Sequence, residues 1–573
     1  MSQYAPENPL IVQGDHTILV EVASPRYGEV RDRLQAFAEL VKSPEHVHTY
    51  RITPLSIWNA CAAEISPRWI ADTLREFAKY PVPDHVLHEV SEYASRFGRL
   101  KLRRSEGDLL LWADEPALAE EISRHRLAGP LLGQRLTPLS FSVDPALRGR
   151  LKQALVKAGF PAQDLAGYLR GDELRLRLRE HTLQGRPFSL RDYQQRAARA
   201  FHAGGRVEGG SGVVVLPCGA GKTIVAMGVM AELQCSTLIL TTGITASRQW
   251  MEEILDKTTL QEHQIGEYSG HNKEVRPITV ATYNIMTYRR PGEDQDFLHL
   301  GLFDRRNWGL IIYDEVHLLP APVFQVTASL QARRRLGLTA TLVREDGRED
   351  DVFALIGPKK ADVPWRELEA QGWIAAAACC ELRVPLPPGE RMKYAMADPR
   401  AKARVAAENP RKLPLVRRIM RRHEGQPTLI IGTYVDQLRS LGEDLDIPVL
   451  TGATPQSRRD QYYRNFKSGR LKALAVSKIA NFSVDLPDAA VAIQISGTFG
   501  SRQEEAQRLG RVLRPKPGAN QAHFYSLVSR DTIEQSFALK RQLFLCEQGY
   551  QYRIEDLSDD LQPRALSTQG RPS

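Results

Sequence analysis

Residues 211–233 read "SGVVVLPCGAGKTIVAMGVMAEL". A valine-rich apolar run leads into Gly219-Ala220-Gly221-Lys222-Thr223, and helical spacing follows. Strand, glycine-rich loop and helix, in that order, is what a phosphate-cradling loop requires. Gly219 and Gly221 let backbone N–H groups approach phosphate oxygens with no Cβ in the way. Ala220 is small enough to sit between them, and the helix presents its positive end to the same anion. Lys222 would reach the β- and γ-phosphates of ATP, and Thr223 would hold Mg²⁺. Leu216 stands where the G-x-x-x-x-G-K-[ST] pattern begins with glycine. That exchange is tolerated if the strand runs one step further before turning. Cys218 lies inside the loop with no base nearby, so it reads as a packing residue.

Further on comes "WGLIIYDEVHLLP", residues 308–320. An apolar strand delivers Asp314 and Glu315 to its C-terminal end, where ligands sit in open α/β sheets. The two acids would have separate tasks: Asp314 holds Mg²⁺ through water, and Glu315 polarises the attacking water. His317 follows two residues later; taken alone, a histidine there reads as a structural hydrogen bonder. Then "LGLTATLVRED" ends a strand in Thr339-Ala340-Thr341, whose hydroxyls are placed to bond the Asp-Glu-x-His segment. Upstream, "FSLRDYQQRA" offers Arg191 and Gln194. Glutamine carries both a donor and an acceptor, which suits an adenine edge. An ordinary helix start after Ser189 fits the same residues.

At 573 residues the chain exceeds one ordinary core, and roughly three or four domains are expected. With 42% hydrophobic and 25% charged residues it has the composition of a soluble globular protein. No apolar run approaches a membrane span, and the start, "MSQYAPENPLIVQGD", is unlike a signal peptide. The six cysteines form no C-x-x-C pair and no zinc spacing, which fits a reducing, cytoplasmic setting. A net charge of +9 permits nucleic-acid binding without requiring it.

Short apolar runs alternate with helical stretches over residues 186–365, and the same alternation returns over 411–555. Alternation of this kind predicts two parallel α/β sheets. The strand candidates are "GVVVLP", "STLIL", "ITVATY", "LIIYDE" and "LGLTAT" in the first region. In the second they are "TLIIGTY", "ALAVS", "AAVAIQI" and "AHFYSLV". The second region also carries Gln507, Gly510, Arg511 and Arg514, a Q-x-x-G-R-x-x-R pattern. On a helix, Arg511 and Arg514 share a face. They are candidates to reach across to a γ-phosphate held by the first lobe, as arginine fingers do.

Together these residues resemble a superfamily 2 helicase, and more narrowly the XPB-type (xeroderma pigmentosum group B) DNA repair helicases in their prokaryotic form. "LPCGAGKT", "DEVHLLPAPVF", "LGLTATLVRED", "LIGPK", "DLPDAAVAIQIS", "SRQEEAQRLGRVLRPK" and "KRQLFLCEQGY" carry the resemblance, which runs from Pro9 through Tyr552. It implies two RecA-like motor lobes preceded by an α+β N-terminal region. It also implies ATP and Mg²⁺ as cofactors, and DNA as the partner, single-stranded or duplex, forked or damaged. The activity implied is a 3′–5′ DNA helicase or translocase in nucleotide excision repair, working with a repair nuclease or another repair protein. Two alternatives stay open: a duplex translocase that does not separate strands, and a P-loop ATPase that remodels protein complexes.

Arg344-Glu345-Asp346 falls where that family has an R-E-D motif linked to strand opening; Arg348-Glu349-Asp350 is a second copy. The expected layout is an N-terminal α+β domain over 1–100 and a damage-recognition-like region over 101–185. Lobe 1 follows over 186–365, a linker with a short thumb-like segment over 366–410, lobe 2 over 411–555 and a disordered tail over 556–573. Three helix-like stretches between 57 and 112, with Asp84 as a helix cap and paired strands around Ser105-Glu106-Gly107, form a winged-helix-like pattern. Such folds serve DNA binding and protein docking alike.

Overall fold

The computed structural model describes residues 4–43, 46–105, 107–217, 219–288, 299–331, 333–340, 349–363, 368, 371–373, 376–477, 489–496, 521–547 and 550–561. The chain divides into two compact units. One comprises Met1–Glu39, Thr49–Pro217 and Gly221–Pro364; the other comprises Leu40–His48, Cys218–Ala220 and Trp365–Ser573.

The first unit opens with β1 (Leu10–Val12) and β2 (Thr17–Glu21), paired antiparallel. After a helix at Tyr27–Leu34 come three more: α1 (Pro54–Ala62), α2 (Pro67–Phe77) and α3 (Asp84–Arg96). The Thr53 and Ser66 side chains cap α1 and α2, and each helix has proline in its first turn. The expected Asp84 cap of α3 is not formed. Pro83 takes the cap position, so Asp84 is the first helical residue, where its charge suits the helix dipole instead.

Strands β3 (Leu100–Ser105) and β4 (Asp108–Ala113) pair as expected, with Ser105 opposite Asp108. They are not a free wing, however. With β5 (Arg135–Thr137), β6 (Ser140–Val143) and β7 (Ala162–Asp164) they form a five-stranded sheet of order β5-β6-β4-β3-β7. Alternating Leu100, Leu102, Leu109, Leu111 and Phe141 bury one face of it. A hairpin with so apolar a face needs partners on both sides.

α4 (Arg148–Lys157) ties this region to the parallel-sheet part of the same unit. Arg148 Nη2 and Lys152 Nζ donate to the two Asp164 carboxylate oxygens at 2.6 and 3.1 Å, and Lys152 also donates to Gln331 at 3.0 Å. Burial would raise the Asp164 carboxyl, but Lys152 and Arg148 outweigh it and hold it well below the usual range. Burial pushes the Lys152 ammonium down to about 8, against the pull of Asp164. Asp164→Ala should therefore strand two buried cations and cost about 3–5 kcal/mol. Urea unfolding measures this, and a loss near zero would mean that water reaches the cluster.

The core sheet of this unit begins after α5 (Asp192–His202) with β8 (Ser211–Val215), then α6 (Lys222–Leu233), β9 (Thr237–Thr241) and α7 (Ile244–Lys257). It continues through β10 (Ile265–Tyr268), β11 (Ile278–Thr282), β12 (Leu310–Asp314), α8 (Ala321–Ser329), β13 (Arg334–Thr339), α9 (Glu349–Leu355) and β14 (Lys359–Asp362). All pairs are parallel and the order is β10-β11-β9-β12-β13-β8-β14. The central strands are buried along their length, which is why they read as unbroken apolar runs.

The second unit holds β15 (Ala376–Val384), α10 (Pro388–Met396), α11 (Pro399–Ala407), α12 (Lys412–Arg422), β16 (Thr428–Gly432), β17 (Val449–Leu450) and β18 (Ala473–Ser477). It ends with β19 (Val491–Gln494), β20 (Gln521–Ser529), α13 (Ile533–Glu547) and β21 (Gln551–Asp556). Its seven strands are again all parallel, in the order β17-β18-β16-β19-β20-β15-β21. Counted along the chain, both sheets have the same order: third, fourth, second, fifth, sixth, first, seventh.

Residues 366–410, expected to be a linker with a thumb-like segment, are largely part of this second unit. β15 is its first strand, lodged between β20 and β21. α11 is pinned to the sheet, with the Ser529 hydroxyl donating to the Ala406 carbonyl at 2.6 Å. The alanine-rich "AAACCELRV" lacks the β-branched content that marks a strand, so only its neighbours define it.

Candidate active site

The phosphate loop leaves β8 at its C-terminal end. Leu216, where glycine is usual, is fully buried and donates its N–H to the Thr339 carbonyl at 2.9 Å. The ladder with β13 thus runs one residue past the strand before the chain turns. Gly219 and Gly221 have φ of +83° and +81°, in the left-handed region where a side chain is strained. Ala220 between them is buried. Lys222 and Thr223 open α6, so the loop delivers both to a helix N-terminus. Cys218 lies outside the described residues.

Gln194 is nearly fully buried and sits against this loop: a Cβ on Gly221 would fall 2.6 Å from its Nε2. Its Oε1 accepts the Arg191 backbone N–H at 3.0 Å, and both Arg191 Nη1 and Gln194 Nε2 donate to the Tyr193 hydroxyl. The helix-start reading of these residues is seen here. Gln194 closes the start of α5 and also packs on the phosphate loop, where a side chain at 221 would crowd its Nε2 and be strained at φ +81°.

β12, two strands from β8, ends in Asp314. The Lys222 ammonium lies 2.5 Å from Glu315 Oε1, so lysine and acid converge on one point. Glu315 adopts φ +49°, a left-handed conformation that costs a non-glycine residue about 1 kcal/mol or more. That turn aims its carboxylate back across the strand end. His317 Nδ1 lies 3.6 Å from Glu315 Oε2 and 2.5 Å from Thr339 Oγ1. The Thr339 hydroxyl therefore bonds the Asp-Glu-x-His segment as expected; Thr341 lies outside the described residues. His317 is buried, and it serves as a linker between Glu315 and β13.

Charge is divided unequally between the two acids. Burial, reinforced by Glu315, pushes the Asp314 carboxyl up to about 6. Burial also raises Glu315, but Lys222 and His317 more than offset it and hold that carboxyl below its ordinary value. A charged Glu315 is ready to accept a proton, while Asp314 gains most from a neighbouring cation. The donor set fits a magnesium nucleotide. Thr223 and Asp314 offer hard oxygens, Lys222 a cation, and the loop two glycines at positive φ. Such a metal, when bound, supplies charge neutralisation beside the phosphates.

Two residues of this site were invisible in the sequence. The Trp250 indole N–H donates to Asp314 Oδ2 at 2.9 Å, and the Tyr283 hydroxyl donates to the Asp314 carbonyl at 2.9 Å. Neither ring stands out in the sequence, because periodicity cannot tell a packed ring from one that also donates. Gln507, Arg511, Arg514, Arg344, Glu345 and Asp346 lie outside the described residues.

A parallel sheet with a phosphate loop on one strand and an Asp-Glu-x-His turn two strands away, followed by a second sheet of the same order, defines a P-loop motor of the helicase class. Comparison with known proteins narrows it. Residues 368–567 match the model of the ERCC3/RAD25/XPB C-terminal helicase family, residues 187–344 that of the type III restriction enzyme res subunit, and residues 10–137 a helicase conserved C-terminal domain. A "DNA 3′-5′ helicase XPB" of Kineococcus radiotolerans is 53% identical, the match covering 96% of this chain and 97% of that protein. Its namesake in Mycobacterium tuberculosis is 51% identical over 97% and 99%. A "general transcription and DNA repair factor IIH helicase/translocase subunit XPB" of Antonospora locustae is 34% identical over 96% and 82%. The chain belongs to the XPB family of helicases. No helix among the described residues is long and apolar enough to cross a membrane.

Proposed function

We propose that this chain is an ATP-driven DNA helicase of 3′–5′ polarity that acts in DNA repair. The observation that carries the reading is the convergence of Lys222 and Glu315 beside Asp314 in a chain of this family. Lys222 binds the terminal phosphates, Thr223 and Asp314 hold Mg²⁺, and Glu315 takes the proton of the attacking water. His317 ties Glu315 to β13. Gln194 and Arg191 border the adenine, and Gln507, Arg511 and Arg514 serve ATP binding and hydrolysis. The working surroundings are cytoplasmic, with a repair nuclease or another repair protein as companion. The N-terminal segments 1–100 and 101–185 serve recognition of DNA or of that companion. A solvent-facing patch supports DNA there: Trp112 lies under Lys101 and Arg103, at 5.7 and 5.4 Å, and neither cation has a carboxylate partner among the described residues.

Hydrolysis with and without DNA, alongside strand displacement on tailed duplexes, tests this reading. DNA stimulation with displacement of the strand is expected. Stimulation without displacement would favour a duplex translocase, and no response to DNA would favour a protein-remodelling ATPase. Replacing Arg344, Glu345 and Asp346 together by alanine should impair displacement far more than hydrolysis, because the nucleotide keeps all its ligands. Equal loss of both would assign that segment to the ATP cycle. The copy at 348–350 should be changed separately and jointly, since it can stand in.

A further inference from the structure

Trp250 does something that packing alone does not require. It lies on α7, only 3% exposed, and a buried indole N–H needs an acceptor. Its acceptor is not a carbonyl but Oδ2 of Asp314, a charge-assisted contact at 2.9 Å. Asp314 itself is held from behind, its carbonyl accepting from Tyr283, so the strand end is fixed and the carboxylate is oriented from α7. The helix is registered on the sheet by Ser247, three residues earlier on the same face, whose hydroxyl pairs with that of Thr241 at 2.8 Å. One turn of α7 thus grips β9 and the next grips the acid at the end of β12.

We infer that Trp250 is a positioning residue for the metal-side acid: its indole N–H orients the Asp314 carboxylate and makes metal affinity at the phosphate site depend on where α7 sits. This rests on the assignment of Asp314 to Mg²⁺ given above. A carboxylate free to rotate would offer its oxygens to the metal only part of the time. Loss of an outer hydrogen bond of this kind typically weakens metal binding about 10–100-fold.

Calorimetric titration of the full chain with ADP, with and without Mg²⁺, tests it. Trp250→Phe keeps the ring and removes the donor. It should lose tenfold or more of the Mg²⁺-dependent gain in ADP affinity, while affinity for ADP alone stays within about twofold. In an Asp314→Ala background the same substitution should change nothing further. The inference is overturned if Trp250→Phe keeps the full Mg²⁺ gain, if it weakens both titrations equally, or if the two substitutions simply add. A wild-type chain that binds ADP with no Mg²⁺ gain would sink the Asp314 assignment and this inference with it. Should the variant not fold, the wild-type chain decides. With ¹⁵N-labelled indoles, one N–H signal should move on Mg²⁺ with ADP and not on ADP alone; no responsive indole signal would refute the contact.

Discussion

Lys222→Ala is expected to reduce ATP hydrolysis by a factor on the order of 10²–10³ or more, while DNA affinity stays near wild type. The ammonium is the cation assigned above to the phosphates, and it lies on the first residue of α6, at the end of the loop. Its removal acts twice. The terminal phosphates lose their counter-charge as negative charge shifts during transfer. Glu315 loses the partner that holds its carboxyl below the ordinary range, so burial is opposed by His317 alone among the groups that lower it. The base then becomes easier to protonate, and the loss of rate should deepen as pH falls. Hydrolysis measured across pH, with filter binding of DNA on the same preparation, checks both parts. Near-normal turnover would remove the phosphate-loop reading altogether.

Glu315→Gln is the second large effect. A general base contributes about 10²–10⁴ in rate, so turnover should fall by that factor while ATP still binds. Glutamine matches glutamate in shape and can accept from Lys222 through its carbonyl, so the cradle survives and proton removal does not. The left-handed backbone at 315 costs the two residues about the same, so folding should change little. Equilibrium ATP binding beside single-turnover hydrolysis separates the two functions. If binding disappeared along with turnover, Glu315 would be a structural member of the loop, neutralising Lys222, and the base would have to be sought elsewhere.

Much of this site was legible because each element had to announce itself chemically. The loop needs glycines at positive φ, and Gly219 and Gly221 are in the sequence. The strands of a parallel sheet are buried on both faces, so β8, β9, β11, β12 and β13 are apolar runs that no helix pattern explains. What escaped notice obeys other rules. β10 and β14 are short edge strands, and "KKAD" in β14 carries two lysines, a composition that discourages further pairing at an edge. β15 is made of alanine and cysteine and is a strand only because β20 and β21 lie beside it. The β3–β4 hairpin was visible from its turn, but the three strands that absorb it into a sheet are polar or short. Trp250 and Tyr283 were hidden for a different reason. A sequence shows which side chains are aromatic, but the acceptor that each buried N–H or O–H finds is set by the fold.

The strand order has a consequence for the nascent chain. β8, the first strand of its sheet to leave the ribosome, has β13 and β14 as its only neighbours, and Ser211 pairs next to Arg335, 124 residues later. At about 5–20 residues per second, synthesis takes on the order of ten seconds to deliver that partner. Throughout that interval the valine edge of β8 stays open, and the N–H of Leu216 lacks the carbonyl that ends its ladder. Within its own sheet, the loop that follows β8 is therefore made early and takes shape late. The same order in the second sheet repeats the delay for β15, whose neighbours β20 and β21 are the last two strands of that sheet. Any substitution that weakens β13 or β20 should show itself in yield from the cell before it shows in the activity of what survives.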